Sequence, residues 1–370
     1  MPGNPGYGKC RNSWRLDDDA SDRPETCRAL RYNPALMSEK SSVALRKLGA
    51  SGPEVFPISL GCMAMSGIYG PSDENESIAT IHAALDRGIN LIDTGDFYGM
   101  GHNELLIARA LKGRREKALL SVKFGAQRAP DGSWVGYDAR PGSVKNFLAH
   151  TLTRLGVDHI DVYRPARLDA SVPIEETVAA IADMIKAGYV RWIGLSEMGP
   201  ETIRRAQKVH PIVDLQIEYS IISRSPEAKI FPLLEQLGIA ATAYGVLSRG
   251  LLTGAKASSA KDDMRKHFPR FVGENRERNQ GLIDELNKLA KENGISPAQL
   301  AIAWVLAKNG NVIPVMGART RAQLSETLGA LDVKLTREDL NAIEKTIPAS
   351  EVAGTRYGEV QMRQLDSEIG

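Results

Sequence analysis

An aspartate, a tyrosine and a lysine in this sequence have the types and the spacing to move a proton. Asp93 closes the short apolar run Asn90-Leu91-Ile92, too brief for a helix and suited to a buried strand. Tyr98 follows five residues on, inside D-T-G-D-F-Y-G. About twenty-five residues further, a second strand-like run, Ala118-Leu119-Leu120-Ser121-Val122, ends in Lys123. An ammonium there is costly to bury unless it is paired. The expectation is that Asp93 pairs with Lys123 and that both meet Tyr98 at one mouth. A phenol ordinarily ionises near pH 10, too high for efficient transfer at neutral pH. A nearby ammonium would lower that value, and Asp93 would keep the ammonium charged and oriented. Such a tyrosine can protonate a carbonyl oxygen while hydride arrives at carbon. The plainer reading is a strand-end ion pair beside a loop aromatic, and spacing alone leaves both open.

The elements that must hold these residues repeat along the chain. Strand-like runs fall at 58–61, 90–93, 118–123, 160–163, 190–195, 213–218, 240–244 and 312–315. Amphipathic helical stretches lie near 74–87, 103–111, 143–155, 174–187, 200–209, 226–237, 280–308 and 321–330. In the fourth, Ile174, Val178, Ile181 and Ile185 share one face; Pro173 and the Glu175-Glu176 pair suit its first turn, and Gly188 its end. Eight strands alternating with helices predict an α/β fold of the closed (β/α)8 TIM barrel type. A doubly wound sheet is the competitor, but no strand runs into a Gly-x-Gly-x-x-Gly helix entry. In a barrel, function sits at the carboxyl ends of the strands, where Asp93 and Lys123 fall. Ahead of it, L-R-K-L-G, a Ser-Gly-Pro turn and V-F-P-I predict a short β-hairpin from Leu45. Residues 1–36 are rich in Pro, Gly, Asn, Asp and Arg and lack periodicity, which reads as a disordered or non-native extension; residues 37–370 read as one barrel domain.

Bulk composition narrows the classes. In 370 residues, 42% hydrophobic and 25% charged content are those of a globular protein with a sizeable core. A net charge of +2 without a basic block argues against a nucleic-acid or membrane-surface protein, and no apolar run is long enough to span a bilayer. Cys10, Cys27 and Cys62 are too few and too far apart for a disulfide framework, so a reducing cytoplasm is expected. The six histidines make no H-E-x-x-H and no metal spacing, so no metal is expected.

L-I-D-T-G-D-F-Y-G, followed by S-V-K-F-G, resembles the signature of the aldo-keto reductases, L-I-D-T-A-x-x-Y-G with a lysine at the next strand end. The resemblance covers about residues 45–347. It includes K-L-G near 47, I-S-L-G-C-M-A-M-S at 58–66, A-G-Y-V-R-W-I-G-L-S at 187–196, Q-I-E-Y-S at 216–220, A-Y-G-V-L-S-R-G at 243–250 and I-P-V-M-G-A-R at 313–319. It implies a barrel that binds NADPH in extended form, with Asp93, Tyr98 and Lys123 catalytic. Ser196 and Gln216 would hold the nicotinamide carboxamide, and Tyr244 would stack on the ring. Leu247 to Leu251 would follow the pyrophosphate. Arg319 and Gln323 would grip the adenosine end, where a guanidinium favours a 2′-phosphate and hence NADPH over NADH. Glu326 falls at an adenine contact, although Thr327 stands where Asn is common.

One departure bears on the chemistry. The family's fourth catalytic residue is a histidine in D-L-Y-Y-Q-H-R-V-D. Here residues 161–169 read D-V-Y-R-P-A-R-L-D, which puts Ala166 in its place. Either a water or Arg167 substitutes, or a bulkier substrate enters, or the chemistry is impaired. Glu197 is a lesser departure, standing where Asn often follows the serine. The expected substrate walls are the 124–142 loop, with Trp134 and Tyr137, and the tail beyond Pro348. The expected function is NADPH-dependent reduction of a small-molecule carbonyl compound, bulky, cyclic or pyridoxal-like. The alternative is an NADPH-sensing binding subunit with little turnover, like those that accompany some ion channels.

Overall fold

The computed structural model describes residues 43–254 and 263–369. The extension expected over 1–36, with Cys10 and Cys27, lies outside the described residues. The first described element is a hairpin, β1 (Arg46–Lys47) against β2 (Glu54–Val55), with Arg46 opposite Val55. Eight parallel strands then close on themselves: β3 (Ser59–Gly61), β4 (Leu91–Gly95), β5 (Leu119–Phe124), β8 (Ile160–Pro165), β9 (Val190–Ser196), β10 (Ile212–Glu218), β11 (Ala240–Tyr244) and β12 (Val312–Gly317). Strand β12 returns to β3, with Gly317 opposite Gly61. The chain is an α/β barrel, as the alternation of runs predicts.

Helices α1 (Glu74–Asp86), α2 (His102–Leu111), α3 (Pro141–Leu155), α4 (Ile174–Lys186), α5 (Pro200–Val209) and α6 (Pro226–Leu237) wrap the outside. Their faces follow the sequence pattern. In α4, Ile174, Val178 and Ile181 are buried and Ile185 packs partly buried against the same core. The single stretch expected over 280–308 is two helices, α7 (Gly273–Glu292) and α8 (Pro297–Lys308). Ser296 divides them: its hydroxyl accepts from the Gln299 N–H while the Gln299 side chain accepts from the Ser296 N–H, and Pro297 takes the first helical position. Helices α9 (Arg321–Leu328), α10 (Arg337–Thr346) and the short α11 (Glu359–Met362) complete the chain.

The two ends of the barrel differ. At the amino end, Leu48 and Val55 of the hairpin pack with Leu91, Val162, Val213, Ala240 and Ile313 in an apolar plug. Trp192 Nε1 donates to Ser51 O at 3.1 Å and Ala50 N to Gly238 O at 2.7 Å, which fixes that plug to the strand starts. At the carboxyl end, a second hairpin, β6 (Ala126–Arg128) with β7 (Trp134–Tyr137), rises beyond β5. The loop expected at 124–142 is therefore an ordered antiparallel ribbon. Among the described residues no helix is long and apolar enough to cross a membrane.

Candidate active site

Adjacent strands bring the expected residues together because parallel register puts their carboxyl ends level. Asp93 lies opposite Ser121, and Gly95 opposite Lys123. Lys123 Nζ donates to Asp93 Oδ1 at 2.6 Å, both groups being buried. The other carboxylate oxygen accepts from Ser121 Oγ at 3.0 Å and from Gln216 Nε2 at 2.8 Å. Asp93 is thus held by three donors from two other strands. Lys123 Nζ stands 5.3 Å from the centre of the Tyr98 ring. Tyr98 is 7% exposed and turns into the cavity after β4.

The turn that presents Tyr98 is locally constrained. Thr94 Oγ1 donates to Asn103 Oδ1 at 2.7 Å, and Asn103 Nδ2 donates to Cys62 O and Ser66 Oγ, each at 2.8 Å. Residues 99 to 101 all have positive φ, and a Cβ on Gly101 would meet Arg154 Cδ at 2.9 Å. Glycine is required there both for the left-handed backbone and for the close approach.

The electrostatics correct one sequence expectation. Tyr98 is pushed well above the ordinary phenol value, by burial first and by Asp93 second; Arg167 opposes weakly. Lys123 is itself lowered by burial, although Asp93 pulls the other way. The first physical reason is burial; beside it, an ammonium matched by a carboxylate at 2.6 Å presents little net field to the phenol. Tyr98 therefore holds its proton throughout the neutral range.

A further buried pair lies beneath the trio. Arg164 Nη1 donates to Asp214 Oδ2 at 2.7 Å and Nη2 to Ser121 Oγ at 2.8 Å. Thr242 Oγ1 donates to Asp214 Oδ2 at 2.6 Å. Ser121 accepts from Arg164 and donates to Asp93, so the two ion pairs are joined through one hydroxyl.

All the residues expected at the site line one cavity of about 630 Å³ at the carboxyl end. Asp93, Tyr98 and Lys123 stand with Ala166, Ser196 and Gln216, and Ser196 lies opposite Gln216 in the β9–β10 register. Tyr244, Leu247, Arg319, Gln323 and Glu326 line the same space, as do Trp134 and Tyr137. Arg319 N donates to Gln323 Oε1 at 2.9 Å and its Nη1 to Pro71 O at 3.1 Å. The 247–251 strip forms a tight turn, with Ser248, Arg249 and Gly250 at positive φ.

Other lining residues carry no sequence signal strong enough to single them out. Phe97 packs edge-on against Tyr98 at 4.8 Å and lies 5.8 Å from the Trp134 ring, extending an aromatic row to Tyr137. Tyr69, Arg128, Arg249 and Tyr357 also line the cavity. Tyr357 belongs to the tail, which closes over the mouth as expected of the stretch beyond Pro348. Its anchor is Arg356, whose Nη1 and Nη2 donate to the two carboxylate oxygens of Glu197 at 2.8 and 2.5 Å. Ser367 Oγ and Tyr244 OH donate to the same carboxylate at 2.6 and 2.7 Å. Burial works against the Glu197 charge, but Arg356, Arg167 and Ser367 outweigh it and hold the carboxyl down at about 2. Glu197, a lesser departure in the sequence, is the tail's fixed point.

A closed parallel barrel with a buried Asp–Lys pair beside a tyrosine at the strand ends defines an oxidoreductase-like scaffold. Residues 57–348 match the Aldo/keto reductase family, and the chain belongs to that family. It is 41% identical over 317 residues to a probable aldo-keto reductase 1 of Glycine max, covering 84% of this chain and 91% of that one. It is 36% identical over 324 residues to the aldo-keto reductase yakc [NADP(+)] of Schizosaccharomyces pombe, covering 85% and 95%. Among solved structures, the glycerol dehydrogenase of Gluconobacter oxydans superposes with a TM-score of 0.73 at 31% identity, covering 88% and 97%. A holo aldo-keto reductase from Bacillus halodurans does so with a TM-score of 0.69 at 29% identity, covering 83% and 97%.

Proposed function

We propose that this protein is an NADPH-dependent carbonyl reductase in which Tyr98 is the general acid. The observation that carries the reading is the buried Lys123–Asp93 contact of 2.6 Å, with the Tyr98 ring 5.3 Å from the ammonium on the wall of a deep cavity. A phenol held protonated by burial is ready to donate to the oxygen of a carbonyl as negative charge develops there. Asp93, fixed by Lys123, Ser121 and Gln216, keeps the ammonium in place beside the Tyr98 ring.

The residues present fit a nicotinamide nucleotide. Gln216 uses one amide hydrogen on Asp93, which leaves its carbonyl oxygen to accept. Ser196 Oγ accepts from Arg167 Nη1 at 3.4 Å, which leaves its own hydrogen to donate. One acceptor and one donor on neighbouring strand ends match a carboxamide. Tyr244 offers an aromatic face, and the 247–251 turn brings backbone close without bulk. Arg319 supplies a guanidinium suited to a 2′-phosphate, with Gln323 and Glu326 alongside. Bound there, NADPH supplies the hydride. Ala166, 2% exposed at the strand end, leaves room for a bulky or cyclic keto compound or a pyridoxal-like aldehyde.

The test follows NADPH absorbance with aldehydes, diketones, quinones and cyclic ketones, for the wild type and for Tyr98→Phe. Turnover that falls by about a hundredfold or more in the variant supports the assignment, since general-acid catalysis contributes ~10²–10⁴. Tight NADPH binding with no turnover on any carbonyl overturns it in favour of a nucleotide-sensing subunit. Full activity in Tyr98→Phe overturns the role of the tyrosine alone.

A further inference from the structure

The substrate side of the cavity carries two guanidiniums that make no direct contact with a carboxylate. Arg128 on β6 lies with its guanidinium carbon 3.7 Å from the centre of the Trp134 ring, and its Nη1 donates to Gly132 O at 2.8 Å. Arg167, just beyond β8, donates through Nη1 to Ala166 O at 2.6 Å and to Ser196 Oγ at 3.4 Å, and through Nη2 to Tyr357 OH at 3.4 Å. Every one of these acceptors is neutral. Among the described residues no Asp or Glu oxygen lies within 4.0 Å of either group.

Two other arginines of the same cavity are built differently. Arg249 pairs with Glu218 at 2.9 Å and Arg265 with Asp263 at 2.7 Å. The carboxylate that Arg167 feels most is Glu197, already occupied by Arg356, Ser367 and Tyr244. Tyr137 lines the same cavity, and its phenol is raised by burial while both guanidiniums pull it down. A mostly buried cation without a counter-ion is costly, and the deficit is removed when an anion enters.

We infer that the carbonyl substrate carries an oxyanion group, a carboxylate or a phosphate, which Arg167 and Arg128 grip beside Tyr137 and Tyr357 while the carbonyl lies at Tyr98. This rests on the proposed carbonyl reduction and names its substrate class. The cofactor's phosphates are served elsewhere on the cavity wall, by the 247–251 turn and Arg319. Arg128, Trp134 and Tyr137 belong instead to the ribbon that follows Lys123. Five N–H donors in a planar fork suit a carboxylate or phosphate edge, and the Trp134 face keeps the Arg128 fork flat.

The experiment compares matched pairs with NADPH: benzaldehyde with 4-carboxybenzaldehyde for the carboxylate, and pyridoxal with pyridoxal 5′-phosphate for the phosphate. The readout is the ratio of kcat/KM for the charged over the neutral member. The wild type favours the charged member of at least one pair, and which pair it is identifies the oxyanion. That ratio falls about tenfold to a hundredfold in Arg167→Gln, recovers in part in Arg167→Lys, and falls less in Arg128→Gln. It also falls as salt is raised in the wild type, which needs no variant to fold. Benzoate inhibits competitively against the aldehyde and benzamide does not. A wild-type ratio near one for both pairs overturns the subsite while leaving carbonyl reduction standing. A ratio unchanged in Arg167→Gln, with NADPH affinity lost by fluorescence titration, assigns Arg167 to the cofactor and overturns the subsite too. Absence of turnover on all four compounds, with NADPH bound, overturns both readings together.

Discussion

Asp96 gives a prediction about the strand end that presents Tyr98. It is 8% exposed, two residues before the tyrosine. Its N–H donates to Lys123 O at 2.9 Å and its Oδ2 accepts from Gly125 N at 3.3 Å. Its Oδ1 is buried with no hydrogen-bond partner among the described residues. Burial, helped by Glu104, pushes this carboxyl up from 3.8 to about 7, against the Gly125 N–H and Arg154. In the unfolded chain the proton leaves near pH 4, in the fold near pH 7. Between those values the unfolded state binds fewer protons, so stability falls as pH rises. At roughly 1.4 kcal/mol per pH step, the cost reaches about 4 kcal/mol by pH 8, with between about 1 and 2 kcal/mol already present at pH 5. Asp96→Asn has no proton to lose and keeps an acceptor for Gly125. Its stability relative to the wild type should therefore rise by about 3 kcal/mol from pH 5 to pH 8. Urea unfolding read by tryptophan fluorescence at both pH values measures this directly. A difference that stays constant across the range refutes the reasoning, because Asp96 would then ionise as it does in the unfolded chain.

Arg319→Ala should lower the preference for NADPH over NADH by about tenfold to a hundredfold, the worth of a charge-assisted contact to phosphate; an unchanged ratio of kcat/KM for the two cofactors removes Arg319 from that role. Arg356→Gln leaves Glu197 buried without its cation, and should cost about 3–5 kcal/mol in chemical unfolding; a loss below about 1 kcal/mol, typical of exposed pairs, contradicts the anchor. Arg164→Leu should destabilise by a similar ~3–5 kcal/mol, and adding Asp214→Leu should restore much of it. Equal losses in the single and double variants would mean that the charge on Asp214 was never the problem.

The barrel was legible because its strands are bounded apolar runs and its helices are periodic. The run ending at Asp93 and the run ending at Lys123 fall within a residue or two of β4 and β5. What escaped depended on distant partners or on overlooked punctuation. Ser296-Pro297 with Gln299 is a complete helix start, yet the apolar periodicity on either side hid the break. The β6–β7 ribbon is short and half-exposed, so the Pro130-Asp131-Gly132 turn signal between its strands has no alternating apolar runs on either side to mark a hairpin. The pairing of Arg164 has no local signal, because its partner Asp214 is 50 residues away. Arg356 gave no signal at all, since Glu197 lies 159 residues before it. The Tyr98 shift runs opposite to the sequence expectation because a sequence shows that a lysine is near, but neither how deeply the phenol is buried nor that an aspartate has matched the lysine's charge.

The anchoring of the tail has a consequence for how the protein is made. Arg356 and Ser367 reach back to Glu197 from a point in the chain beyond the last barrel strand, so they are synthesised after all eight strands. During synthesis Asp93, Tyr98 and Lys123 emerge well before the residues that enclose them. A nascent chain stopped before Arg356 would hold an intact proton donor in a cavity without a roof, with Glu197 as a buried charge awaiting its partner.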